Sequence, residues 1–215
     1  VPAHAKAPQG LAEPIRVFLA TSNPGKVREY SELAGEFSVE LKLIPNFNKI
    51  LLFEESAPTF AENAAGKAQH YSKHALGIVL ADDSGLVVPA LGGAPGVHSA
   101  RYARPNASDA DRVRKLLAAM EGKNGEARRA RFVCVAAIAQ QGRVIAIVSD
   151  FAEGMLTKEP RGIGGFGYDP IFFFEGLGRT YAEISREEKN HFSHRGKAFR
   201  KALTVLAAGN SVTFL

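Results

Sequence analysis

Apolar and polar positions alternate along this chain in two periods. Ile15–Thr21 (IRVFLAT), Phe37–Ile44, Gly77–Ala81 (GIVLA) and Ile171–Phe174 are compact apolar runs bounded by turn residues, the pattern of strands. Arg131–Ala139 and Arg143–Phe151 are two more such runs, separated by Gln-Gln-Gly, a hairpin spacing. Helical stretches are predicted from Lys26 to about Gly35, over Pro58–His74, from a Ser108 or Asp109 cap to about Met120, and over Ser193–Leu206. Residues 89–108 and the Gly-rich 159–170 read as loops. Strands alternating with helices, plus a hairpin, predict one α/β domain with a mixed sheet, because a hairpin is foreign to an all-parallel doubly wound sheet. That domain is expected over residues 15–215, behind a disordered tail at 1–14.

Composition narrows the class without choosing a function. With 215 residues, 46% hydrophobic and 23% charged, the chain suits one domain with a sizeable core. The longest strongly apolar run, Phe132–Ala139, is far short of the roughly 20 residues of a membrane-spanning helix. The first fourteen residues hold no apolar stretch of the kind a secretory leader carries. A single cysteine, Cys134 inside an apolar run, makes neither a disulfide nor a cysteine-based zinc site, so a reducing cytoplasmic setting is expected. The net charge of +5 comes from basic residues spread along the chain, which favours discrete anion sites over a basic tail.

Five segments carry candidate chemistry. Thr21-Ser22-Asn23-Pro24-Gly25-Lys26 joins a strand to a helix, where free N–H groups, the helix dipole and Lys26 attract phosphate. The plain alternative is a helix cap by Ser22 or Asn23. It is not a Walker motif, since no Gly-Lys here is followed by Ser or Thr. Asp82-Asp83-Ser84-Gly85 is placed just past an apolar strand, where two carboxylates are costly unless paired or metal-bound, and oxygen ligands of this kind suit Mg²⁺. The alternative is an exposed Asp-rich turn. Ser84 lacks a nucleophile elbow. Glu54-Glu55 lies upstream of Glu62 and Lys67; Glu55 is able to join a metal site, whereas Thr59 and Glu62 are spaced as a capping box. Gly162–Gly167 has the G-x-G-x-x-G spacing but leads into a strand, which excludes the dinucleotide fingerprint. What remains is a loop carrying Phe166, Gly167, Tyr168 and Asp169, with Phe166 available to stack on a base or to fill the core. Lys189 and Ser193-His194-Arg195-Gly196 gather cations at the start of the last helix, against its dipole unless a ligand compensates. His70 and His74 lack the glutamate of a zinc-protease motif and read as surface residues.

Taken in order, these segments resemble the inosine triphosphate pyrophosphatase family, enzymes that clear noncanonical purine nucleotides. The resemblance covers about residues 15–207 and also takes in Leu91–Tyr102 (LGGAPGVHSARY), Gly164–Pro170 (GGFGYDP) and Glu188–Gly196 (EKNHFSHRG). It implies an elongated mixed sheet with flanking helices, two lobes around a substrate cleft, and a homodimer. It also implies Mg²⁺-dependent cleavage of dITP, ITP and XTP to the monophosphate and pyrophosphate. Residue by residue, it implies a triphosphate cradle of Thr21, Ser22, Asn23 and Lys26. Glu55 and Asp83 would be metal ligands. Asp83 would also accept the proton, with Asp82 and Lys67 beside it in the catalytic group and Lys67 touching phosphate. Ser84 would contact substrate, and Phe166, Gly167, Tyr168, Asp169, Lys189, His194 and Arg195 would form the nucleobase site. Two other readings stay open: a related pyrophosphatase with another base preference, and a nucleic-acid-binding module, which the acids at 82–83 oppose. No polynucleotide or membrane partner is expected.

Overall fold

A computed structural model describes residues 15–37 and 39–209; the expected tail at 1–14 lies outside the described residues. Seven strands form one sheet in the order β2-β1-β3-β4-β5-β6-β7. Strand β1 (Ile15–Leu19) pairs in parallel with β2 (Val39–Leu43) and with β3 (Ile78–Val87). The remaining pairs are antiparallel: β3 with β4 (Arg129–Gln140), β4 with β5 (Arg143–Leu156), then β6 (Phe172–Phe174) and β7 (Arg179–Thr180). The expected mixed α/β sheet with flanking helices is therefore found.

The helices cover both faces. α1 (Pro24–Gly35) and α5 (His194–Gly209) share one face. There Tyr30, Leu33, Phe199, Ala202, Leu203 and Leu206 pack on Val17, Leu19, Leu80, Ala136 and Ile138. Ala198, Phe199, Ala202 and Leu206 recur at helical spacing, so one stripe of α5 is apolar and buried. α2 (Phe60–Ser72) covers the other face, with Ala64, Ala68 and Tyr71 against Val79, Ala81, Val135 and Ala137. α3 (Asp109–Ala119) closes a separate cluster at the far end of the sheet, where Val113 and Leu116 meet Leu86, Phe132, Phe172 and Tyr181. Each large apolar side chain fully buried in these layers contributes about 1.5–3 kcal/mol.

Three expectations need correction. β3 does not end at Ala81: it runs through the two aspartates to Val87, with Asp82 opposite Ala136 and Asp83 opposite Val135 on β4. The acids interrupt the apolar run but not the strand, because each carboxylate has one oxygen paired, Asp82 Oδ2 with Lys26 and Asp83 Oδ2 with Asn63, and β4 satisfies the backbone. β5 is likewise longer than Arg143–Phe151, because polar residues on its open face break the apolar pattern without breaking the ladder. Third, Lys189 is not on the last helix. It lies on a separate helix, α4 (Arg186–Phe192), started by a Ser185–Glu188 capping box. That helix has no apolar periodicity, since its buried residues are Lys189 and Asn190.

Candidate active site

Sheet pleat separates the two adjacent aspartates. Successive side chains on a strand point to opposite faces, so Asp82 faces α1 and α5 while Asp83 faces α2. Asp82 is fully buried, paired with Lys26 Nζ at 2.8 Å and lying 3.7 Å from Arg195 Nε. Burial pushes its carboxyl up, but Lys26, Arg195 and Lys67 outweigh that and hold it well below the usual carboxylate range. Asp83 behaves in the opposite way. Burial first, and then the nearby Glu55 charge, push it up to about 6, against the opposing pull of Lys26 and a hydrogen bond from Asn63. Asn63 Nδ2 donates to Asp83 Oδ2 at 3.0 Å, and the Asn63 amide is itself locked to the backbone of Ala57 at both ends.

A cavity of about 670 Å³ opens beside these groups. Its lining includes Asp83 and Ser84, while Asp82 does not line it. One end holds the residues of the strand-to-helix turn. Asn23 caps α1 by accepting from Gly25 N at 2.8 Å and Lys26 N at 3.2 Å. The cap thus takes up two of the amides expected to meet phosphate, and the positive charge comes from side chains. Lys26 Nζ and Lys67 Nζ both reach the Asp82 carbonyl, at 3.4 and 3.1 Å. Lys67 Nζ also donates to Glu55 Oε1 at 2.6 Å. The two ammonium groups thus converge on one carbonyl oxygen, each also paired with a carboxylate, Lys26 with Asp82 and Lys67 with Glu55. Thr59 caps α2 and donates to Glu62 at 2.6 Å, so Glu62 is structural. His70 is half-buried, hydrogen-bonded to the Leu51 carbonyl, and His74 lies outside the cavity.

The donor set suits a hard divalent cation. Glu55 and Asp83 both line the cavity, and their mutual repulsion is part of what raises Asp83. Among the described residues no cluster of three or more His, Cys, Asp or Glu is placed to hold a metal. A two-carboxylate oxygen site fits the habit of Mg²⁺, which takes one or two carboxylates and draws its other ligands from phosphates and water.

The other end is a buried polar pocket. Glu29 on α1, Lys189 on α4 and Arg195 on α5 are all buried. Lys189 Nζ pairs with Glu29 at 2.7 Å and with Asp169, while Arg195 pairs with Glu29 and donates to Ser84 Oγ at 2.9 Å. Burial works against the Glu29 charge, but Arg195 and Lys189 win and leave its carboxyl below its ordinary value. Phe166 lies under these cations, its ring centroid 4.7 Å from Lys189 Nζ and 5.6 Å from the Arg195 guanidinium carbon. A Cβ at Gly25 would sit 2.8 Å from the Phe166 ring, so the ring's place against α1 requires glycine there. His194 stacks on Phe132 at 4.7 Å. Burial, with Arg195 and Lys189 nearby, drives its imidazole well below the usual range, so it is neutral. Its buried Nδ1 has no hydrogen-bond partner among the described residues.

The sequence-derived candidates on the cavity are thus Thr21, Ser22, Asn23, Lys26, Glu55, Lys67, Asp83, Ser84, Phe166, Gly167, Tyr168, Asp169, Lys189, His194 and Arg195. Glu29 and Asn63 were missed. Both sit on helix faces among apolar residues, at positions (Glu29 beside Tyr30 and Leu33, Asn63 beside Ala64) where periodicity predicts core.

An α/β fold whose cavity joins a two-lysine, two-carboxylate end to a pocket with an aromatic ring and buried cations defines a nucleotide-site protein. The sequence profile of the Ham1 family matches residues 17–205, and the chain belongs to that family. It is 48% identical over 185 residues to a dITP/XTP pyrophosphatase of Geobacillus kaustophilus, covering 86% of this chain and 91% of the relative. A dITP/XTP pyrophosphatase of Bacillus licheniformis is 44% identical, with 88% and 97% covered. The solved structure of a HAM1 protein from Coxiella burnetii superposes with a TM-score of 0.80 at 42% identity, covering 90% of this chain and 99% of that one.

Proposed function

We propose that this chain hydrolyses noncanonical purine nucleoside triphosphates (dITP, ITP and XTP) to the monophosphate and pyrophosphate, and so cleanses the nucleotide pool. The names of its relatives support the activity, and one observation carries the reading. A single cavity presents Lys26, Lys67, Glu55 and Asp83 at one end and Phe166, Lys189, His194 and Arg195 at the other, the two needs of a triphosphate and a base.

Lys26 and Lys67 hold the triphosphate, so the α-phosphorus is presented in fixed geometry to a water. Asp83, with its carboxyl near pH 6, is mostly ionised at neutrality yet basic enough to take the proton of that water. Asp82 is too strongly ionised for this task; it positions Lys26 and Arg195. Glu55 and Asp83 would hold a divalent cation, for which we propose Mg²⁺. When bound, the cation neutralises charge on the phosphate oxygens. Lys189 and Arg195 donate to a 6-oxo purine and face the 6-amino group of adenine donor to donor, while Phe166 stacks on any purine. We propose a homodimer in the cytoplasm as its working form. An exposed apolar stripe on β5, Ile145, Ile147 and Phe151, supports pairing of two copies.

A screen of nucleoside triphosphates with Mg²⁺, read for both phosphate and pyrophosphate, tests the reading. Turnover of dITP, ITP and XTP far above that of ATP and the pyrimidine nucleotides is expected. Preference for a pyrimidine or for ATP would replace it.

A further inference from the structure

We infer that Asp109 is a positioning residue for base binding, acting from α3 on the loop that carries Phe166. This rests on the function proposed above. Asp109 is the first residue of α3 and lines the cavity, yet the Ser108 side chain and Asp111 already make the helix cap without it. Its Oδ2 instead accepts from Gly167 N at 2.7 Å, across 58 residues of sequence. Gly167 is in the left-handed region, at φ +64°, so its amide is turned out of the loop toward α3.

The carboxylate is held in place from behind. Arg112 pairs with Asp109 Oδ1 and donates to the carbonyls of Ala100 at 2.8 Å and Ala107 at 2.7 Å. The next loop residue is tied to the same segment, since the Tyr168 hydroxyl donates to the Ser99 carbonyl at 2.9 Å. On its inner side the loop is tied by Asp169, which accepts from Phe166 N at 2.8 Å and pairs with Lys189. Phe166 thus sits between two anchors. Asp169 fixes it to the cations of the base pocket, and Asp109 fixes it to α3 and the far end of the sheet. Losing the outer anchor frees Gly167 and lets the ring drift from the Lys189 and Arg195 side chains that read the base.

The test uses full-length Asp109→Ala and Asp109→Asn, with steady-state kinetics on ITP and ATP and inhibition by IMP and by pyrophosphate. Asp109→Ala should raise KM for ITP and Ki for IMP by about 10- to 100-fold, the scale of one hydrogen bond to a charged group. Its kcat and its Ki for pyrophosphate should stay near those of the parent, because the phosphate end is untouched. Asp109→Asn keeps an acceptor for Gly167 but turns its amide N–H toward Arg112, and should raise KM and Ki less than the alanine does. Arg112→Lys, which cannot hold two carbonyls and the carboxylate together, should shift KM the same way and guards against misfolding of the alanine variant. Unchanged KM and IMP affinity in Asp109→Ala would overturn the inference, as would equal weakening of IMP and pyrophosphate. A parent that hydrolyses no purine triphosphate would instead defeat the proposed function.

Discussion

Replacing Glu29 by Gln tests the electrostatic heart of the site without touching the phosphate end. Glu29 is the shared anion of two buried cations, 2.7 Å from Lys189 and in direct contact with Arg195. Removing one member of a buried pair costs about 3–5 kcal/mol, because the partner charge is left uncompensated. Lys189 would keep Asp169, and Arg195 would keep the 3.7 Å contact with Asp82, so the lower end, ~3 kcal/mol, is expected. For a chain of this size that lowers Tm by roughly 6–12 °C. The control is Glu36→Gln. Its partner Arg200, at 3.2 Å, is solvent-accessible, and loss of such a pair costs at most about 1 kcal/mol. The sign with pH is fixed. Glu29 is below its ordinary value in the folded chain, so its contribution is full above that value of 4.5 and is lost as pH falls through the folded value. The gap between parent and Glu29→Gln, read by thermal or urea unfolding, should therefore be full at pH 7 and shrink in acid. A variant as stable as the parent at pH 7, or a gap that widens in acid, would refute the reasoning.

Two further predictions concern turnover. Asp83→Asn should lower kcat by roughly 10²–10⁴, the scale of a lost acid–base group. Because Asp83 is raised to about 6, parent activity should fall as pH drops below that value, and more divalent cation should move the inflection to lower pH; an inflection indifferent to Asp83→Asn would assign the base elsewhere. Lys189→Ala and Arg195→Ala should each narrow the ITP-to-ATP ratio of kcat/KM, out of a discrimination that hydrogen-bonded sites raise to about 10⁴–10⁵, whereas Phe166→Ala should lower both substrates together. An unchanged ratio in the two basic variants would move base reading to the backbone of the 164–169 loop.

The long apolar strands and the helices with caps were legible in the sequence because burial on one face imposes a period. β1, the β4–β5 hairpin, the Ser108-capped α3 and the apolar stripe of α5 all follow that rule. What was hidden is what the site needs. Asp82 and Asp83 masked the second half of β3, because a strand carrying buried charge looks like a turn until its counterions are in place. α4 was hidden because its buried face is Lys189 and Asn190, and only the Ser185–Glu188 spacing announced it. The separation of the two aspartates follows from the pleat once Asp82 is inside the strand, but neither spacing nor composition reveals which face holds Lys26 and Arg195. Glu29 and Asn63, the groups that hold the named residues in place, gave no chemical pattern of their own.

The most direct test of the central claim is phosphorus NMR of dITP hydrolysis by the purified chain with Mg²⁺, followed from the first turnovers. Attack at the α-phosphorus, as proposed for a water activated by Asp83, predicts pyrophosphate and dIMP as the primary products. Orthophosphate and dIDP appearing first would contradict it.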